Sequence, residues 1–383
     1  MQTLRKIFGY IKKEPMLPVA IAAALISLLI TPPSARTLRD IDWRTLATLF
    51  LMLTVLEGFK KENIFAPLLR LASKLRFSIG LALFLVFSVF FTSMFVTNDV
   101  SLIIFVPITI ILFRAAGKEH YILPLLALEN IAAVRGSLLT PFGSPQNLYI
   151  FGQSGVSALR FIRYMLPLCV ISGVLLVVFI IFLFRRGPKE RMDIPEDTFP
   201  SRLPAERRVH RMIYLLLFAA VIFMIVSRTE YWLYIAGALT VIILIFDIKV
   251  LLRCDYVLIV TFFCFFVFSS SVAANETVAG FLSKIIAGHE YVGSIAVSQV
   301  ISNVPAAIVL YPFAVNRGAL LYGLDSAGLV TIIGSLASVI NYRIYVREYP
   351  GKGMSFIKTF TLISVIFFLI VALPGYFISQ TPL

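Results

Sequence analysis

Apolar runs of about 18 or more residues recur along nearly the whole chain, and several are cut partway by Gly, Pro, Asn, Ser or Thr. As a helix, a run of that length matches the hydrocarbon thickness of a bilayer. In lipid every backbone N–H and C=O needs a partner, so a cut in such a helix survives only inside protein or against a wet cavity. The expectation is an all-α, polytopic membrane protein whose interruptions carry its chemistry. Composition agrees: the 383 residues are 59% hydrophobic and only 14% charged, where soluble domains carry roughly 25% charged residues. The longest polar stretch, 185–211, is too short for a folded soluble domain, which rarely falls below about 50 residues.

The net charge of +14 would suggest nucleic acid in a soluble protein, but no aromatic-basic patch lies outside the apolar segments. Basic residues that hold cytoplasmic loops on their side of the bilayer account for it. Cys169, Cys254 and Cys264 are odd in number and form no CxxC pair, so neither a disulfide framework nor a zinc site is expected. His120, His210 and His289 stand alone; HExxH, GxSxG and Walker A patterns are missing, so an enzyme is not expected. The basic start followed by an apolar run is read as an uncleaved first helix.

Four interruptions stand out. In FVTNDVSLIIFVP, Thr97, Asn98 and Asp99 separate two apolar arms within 77–113. In RGSLLTPFGSPQNLYIF, Thr140, Gly143, Ser144 and Asn147, with two prolines, break the span 121–153. In QVISNVPAAIVLYPF, Ser302 and Asn303 divide 276–315, and in LVTIIGSLASVIN, Gly334 and Ser335 divide 318–346. Asn98 and Asn303 are 205 positions apart, Gly143 and Gly334 are 191 apart. Paired interruptions at matching places in two halves point to a secondary transporter with its site at the repeat interface.

If 77–113 and 276–315 dip into the membrane and return, 25 of the 34 basic residues fall on the cytoplasmic side and 8 outside. Counting 77–113 as a crossing would put the basic 185–211 loop outside, against the positive-inside rule. The expected organisation is a first repeat over 1–184, a cytoplasmic linker at 185–211, a connecting helix at 212–226 and an inverted repeat over 227–383. Hairpins occupy 77–113 and 276–315; broken helices occupy 121–153 and 318–346. The N-terminus is expected in the cytoplasm and the protein in the plasma (inner) membrane.

Broken ends suit ions, because helix amide ends favour anions and carbonyl ends favour cations. Asp99 is costly in a bilayer unless paired or functional. Glu129 and Arg135 are further intramembrane charges; Arg135 is expected to meet a substrate anion or to pair with Asp99 or Glu129.

The TND and SNVP tips with the GSPQN and GSLAS breaks resemble the ion transporter superfamily. That group holds divalent anion–sodium symporters, citrate permeases, arsenite-efflux permeases and a sodium–proton antiporter branch. The resemblance covers nearly the whole chain and implies two inverted repeats, re-entrant hairpins, broken helices and a homodimer. It implies substrate contacts at Thr97, Asn98, Thr140, Gly143, Ser144, Asn147, Ser302, Asn303, Gly334 and Ser335. It also implies a coupling ion at Asn98, Asp99, Gly143, Asn147 and Asn303, with sodium held by Asn98, Asp99 and Asn147. The carboxylate symporters read Ser-Asn-Thr at each tip. Here Asp99 and Val304 replace the threonines, and the last break lacks Pro and Asn, so the chain departs from that pattern at the positions for dicarboxylate and a second sodium. The function expected is transport of a small anion or oxyanion, carboxylate- or arsenite-like, driven by sodium or protons. The alternative is a sodium–proton antiporter without an organic substrate. No cofactor other than sodium and no nucleic-acid partner is expected.

Overall fold

A computed structural model describes residues 16–32, 35–72, 75–185, 187, 191–192, 207–381 and 383. The basic N-terminal stretch and most of the expected 185–211 linker lie outside the described residues. Among the described residues the chain forms eighteen α-helices and no named strand. Seven helices are long and apolar enough to cross a membrane.

The order opens with α1 (Met16–Ile30), the short α2 (Ala35–Asp40), α3 (Trp43–Lys61) and α4 (Ala66–Ala72). Two helices joined by one residue follow, α5 (Ser78–Val96) and α6 (Asn98–Ala115). Then come two half-helices, α7 (Ile122–Ser137) and α8 (Pro145–Ser154), and the long α9 (Ala158–Leu183). After α10 (Arg208–Ser227), α11 (Trp232–Leu252), α12 (Tyr256–Ala274) and the amphipathic α13 (Glu276–Ile286), the same order returns. Helices α14 (Glu290–Ile301) and α15 (Asn303–Leu310) are joined by one residue; α16 (Arg317–Ala327) and α17 (Leu336–Glu348) flank a break; α18 (Gly353–Ser379) is long. Segment 276–315 thus holds three α-helices.

Two layers of packing organise these helices. In one, α5, α6 and α9 pack on α7, which also meets α17 and α18, while α14 and α15 pack on α16. In the other, α1, α3, α10, α11 and α12 pack among themselves. Helices α8 and α15 touch both groups, through α3 and α12 respectively. A lipid-exposed helix cannot use burial of apolar surface as a soluble one does, so close packing and polar bonds carry more of the association. Gly58 illustrates this. A Cβ there would lie 2.0 Å from the Tyr214 ring. The small residue lets Tyr214 reach Asp247, to which its hydroxyl donates at 2.8 Å. Asp247 leaves helical geometry inside α11 (φ −157°, ψ 74°) and also pairs with Lys61. One kinked carboxylate therefore ties α3, α10 and α11.

Helices α5 and α7 come still closer. A Cβ on Gly136 would meet the Phe90 carbonyl oxygen at 1.9 Å. Gly136→Ala is expected to destabilise the fold by about 3 kcal/mol, the upper end of overpacking costs, because backbone rather than a flexible side chain must move. Gly80→Ala, with nothing within 4 Å, is the control and should stay within about 0.5 kcal/mol of the parent. Thermal unfolding of the two purified variants in detergent compares them.

Candidate functional site

Each of the two one-residue turns has the same unusual backbone. Thr97 lies at φ 71°, ψ 152° and Ser302 at φ 69°, ψ 158°. This region belongs almost entirely to glycine, and other residues there carry about 1–3 kcal/mol of strain, which clusters at functional sites. The strain turns the chain abruptly, so that α6 and α15 begin immediately at Asn98 and Asn303.

The two breaks also match. Ser144 (φ −150°, ψ 152°) and Ser335 (φ −148°, ψ 138°) are extended and start α8 and α17. A Cβ on Gly143 would lie 2.2 Å from the Ser137 carbonyl oxygen, and one on Gly334 would lie 2.2 Å from that of Ala327. Ser137 and Ala327 are the last residues of α7 and α16. Glycine is required at both places because the chain leaves the break against the carbonyl that ended the half-helix.

Four helices thus start at the interruptions. Elsewhere Asp42, Ser157, Asp255, Asn275 and Asn316 cap helices by accepting from backbone N–H groups. At Thr97, Ser144, Ser302 and Ser335 the hydroxyl is the usual capping type, yet none caps. At the first tip the Asn98 amide donates to the Gly143 carbonyl at 3.2 Å and the Asp99 amide to the Asn98 side chain at 2.9 Å. The Thr140 hydroxyl donates to the Met94 carbonyl, closing the first break onto the arm of the first tip. In the second half Thr331 donates to Gln299 at 2.7 Å, and Gln299 donates to the Ala327 carbonyl at 3.2 Å. Asn303 donates to the Leu324 carbonyl at 3.4 Å.

The predicted residues therefore group as follows. Asp99 and Ser302, one from each tip, line a single cavity of about 160 Å³. Ile333 and Leu336 from the second break line it too, with Asp255 and Arg343. Asn98, Thr140 and Gly143 are joined at the first tip by the bonds just given. Asn147 and Arg135 lie apart from the cavity in a buried polar network between the halves. Arg135, fully buried on α7, does not pair with Asp99 or Glu129; its guanidinium donates to the Asp325 carbonyl at 3.4 Å and to the Ser326 hydroxyl at 3.5 Å. Gln146 donates to the Asp325 carboxylate at 3.0 Å. With its amide nitrogen turned to that carboxylate, Asn147 adds contacts at 3.1 and 3.2 Å. In the reverse sense Asn130 of α7 donates to Ser338 of α17 at 3.0 Å, and Asn341 of α17 to the Leu126 carbonyl at 2.7 Å.

Sequence reasoning passed over Asp325, Gln146, Asn130 and Asn341; Ser338 was read as part of the GSLAS break, without its partner. Asp325 had a visible signal, an acidic residue within an otherwise apolar span. The Asn partners had none, because small polar residues in membrane helices ordinarily mean packing.

Broken helices joined through buried polar groups, beside a cavity lined by both tips and within a set of span-length apolar helices, define a polytopic membrane transporter. The chain belongs to the citrate transporter family, whose model matches residues 8–334. It is 29% identical over 309 residues to the inner membrane protein YbiR of Escherichia coli, covering 79% of this chain and 80% of that one. It is 28% identical over 305 residues to the uncharacterized transporter MJ0456 of Methanocaldococcus jannaschii, covering 79% and 81%. With these relatives the protein is an integral, multi-pass membrane transporter and not an enzyme.

The buried network gives a measurable expectation. Arg135→Met should cost about 1–3 kcal/mol, because the buried Asp325 carbonyl and Ser326 hydroxyl lose their donor and the nearby Asp325 carboxylate loses a cation. Adding Asp325→Asn should recover a substantial part. A double-mutant cycle on unfolding midpoints in detergent measures the coupling.

Proposed function

We propose that this transporter carries a small anion or oxyanion, carboxylate- or arsenite-like, and couples it to a sodium or proton gradient. One observation carries the reading: a cavity shared by Asp99 at one tip and Ser302 at the other, with Asp255 and Arg343 on its wall. Arg343 supplies a guanidinium for an anion. Two carboxylates in the same small cavity repel that anion unless a cation enters with it. Charge balance therefore favours joint binding of anion and cation over passage of the anion alone. The uncapped helix starts at Ser302, which lines the cavity, and at Ser335, next to the lining residue Leu336, add positive amide ends. The family's description as citrate transporters supports a carboxylate.

In this reading the two halves, which repeat one order of elements and matching backbone angles, are inverted repeats in the membrane. The hairpins α5–α6 and α14–α15 enter from opposite faces and meet near its middle. Substrate contacts come from Thr97, Asn98, Thr140, Gly143, Ser144, Asn147, Ser302, Asn303, Gly334 and Ser335, and the coupling ion sits by Asn98, Asp99, Gly143, Asn147 and Asn303, with Asn147 joining them from the buried network as the halves move. The N-terminus is cytoplasmic and the working form is a homodimer in the inner membrane.

The test uses purified protein in liposomes with labelled citrate and an imposed sodium or pH gradient. Uptake should follow one of the gradients, and unlabelled citrate inside should drive countertransport. Asp99→Asn should abolish the response to that gradient. Uptake indifferent to both gradients in the parent would remove coupling from the reading. A sodium-driven pH change in vesicles lacking any organic anion would favour the antiporter alternative.

A further inference from the structure

Glu129 lies at the middle of α7 and is completely buried. Among the described residues its hydrogen-bond partner is the Thr109 hydroxyl of α6, which is also completely buried and donates to Oε1. Oε2 has no partner. Among the described residues no ion pair reaches it.

The elements packed on α7 explain why. Helix α5 carries no ionisable side chain. Helix α6 has only Asp99 and Arg114, at its two ends, and Arg114 is engaged by Glu348 at 3.2 Å and by Tyr349. Helix α9 brings Arg160, Arg163 and Tyr164 at its start, then Cys169. Helix α17 brings Tyr342, Arg343, Tyr345, Arg347 and Glu348, α18 brings Lys358 and Tyr376, and the turn before α7 brings Glu119, His120 and Tyr121. None of them bonds to Glu129. On α7 itself, Arg135 is directed to Asp325 and Ser326.

A carboxylate in such a place without a counter-charge is among the costliest groups a membrane protein can bury, whereas the neutral acid is tolerable. One carboxylate and one hydroxyl supply too few oxygens to strip and hold a metal cation. A proton needs only the carboxylate. The pair also joins the arm of the first tip to the half-helix carrying Asn130 and Arg135, so its charge state bears on both parts of the site.

We propose that Glu129, with Thr109, is a proton-binding site, loaded in this conformation and emptied at another stage of the cycle. Loading converts a carboxylate and a hydronium ion to the acid and water. The acid lets α6 and α7 stay packed without a bare charge between them; release requires them to part enough to admit water. This rests on the transport reading above and adds, to the cation at the tips, a proton held between α6 and α7.

Infrared difference spectroscopy of the full chain in lipid vesicles reads the site directly. The parent should show a buried carboxylic-acid C=O band near neutral pH that fades as pH rises, and that is lost in Glu129→Gln, whose amide still accepts from Thr109. In parallel, Glu129→Gln should lose the component of citrate uptake driven by an imposed pH gradient. Thr109→Val keeps the acid and should change the pH at which the band fades, which preserves the test if Glu129→Gln folds poorly. A band that is absent, that persists unchanged at every pH, or that vanishes in Glu129→Gln without altering pH-driven uptake would overturn the proposal. A titrating band in a parent that moves citrate, phosphate and arsenite under no gradient would uphold the proton site and overturn the transport reading.

Discussion

A peptide group without a partner in hydrocarbon is expensive enough to exclude irregular backbone from lipid. This chain stops its helices at four places, and each stop is secured by another part of the protein. The first tip is bonded to the first break through Asn98 and Gly143. The first break is bonded to the tip's arm through Thr140 and Met94. The second break reaches the arm of the second tip through Thr331 and Gln299. Tip and break are thus one unit in each half, and neither could be displaced without exposing the other's backbone. The glycines follow from this. At Gly143 and Gly334 the chain passes so near the preceding helix end that a methyl group would collide with it.

The halves are then tied crosswise. Helix α8, after the first break, is bonded through Gln146 to Asp325 on α16. Helix α17, after the second break, is bonded through Ser338 and Asn341 to α7. Each outgoing half-helix is therefore held by the incoming half-helix of the other half. Buried charges are weak stabilisers, and in some proteins they fix which elements pair. Arg135 and Asp325, both buried, sit where α7, α8 and α16 meet, Arg135 bonded to α16 and Asp325 to α8. Lipid, as apolar as the helices themselves, supplies no such preference.

Much of this was legible in the sequence. The helical membrane class followed from apolar length and low charge, and the tips and breaks fell where Gly, Pro, Asn and Thr cut apolar runs. Those signals are local: a residue that ends a helix does so through its own backbone. Non-local pairings left no comparable trace. Arg135 reads as a lone cation whose partner is undefined until α16 is placed beside α7. Asn130 and Ser338, 208 positions apart, look like ordinary small polar residues. The segment 276–315 read as a single hairpin, although Asn275 caps a separate helix, α13, at its start and Gly288 turns the chain at positive φ before α14. Matching φ and ψ at Thr97 and Ser302 could not be foreseen either, because the residues involved are not glycine and nothing in Thr or Ser announces a strained turn.

The charges divide into two kinds by their surroundings, and this limits how the site can work. Asp99, Asp255 and Arg343 share a cavity, where mobile ions can answer their fields. Glu129 shares only a hydroxyl, within a packed helix interface that no ion can enter without separating α6 from α7. In the proposed cycle an anion at the cavity alters the field there at once, but it reaches Glu129 through the helices that line the cavity and pack on α7, namely α6 and α17. Coupling between the two is then mechanical, carried by whether α6 and α7 remain packed, and each need bias only that one packing equilibrium.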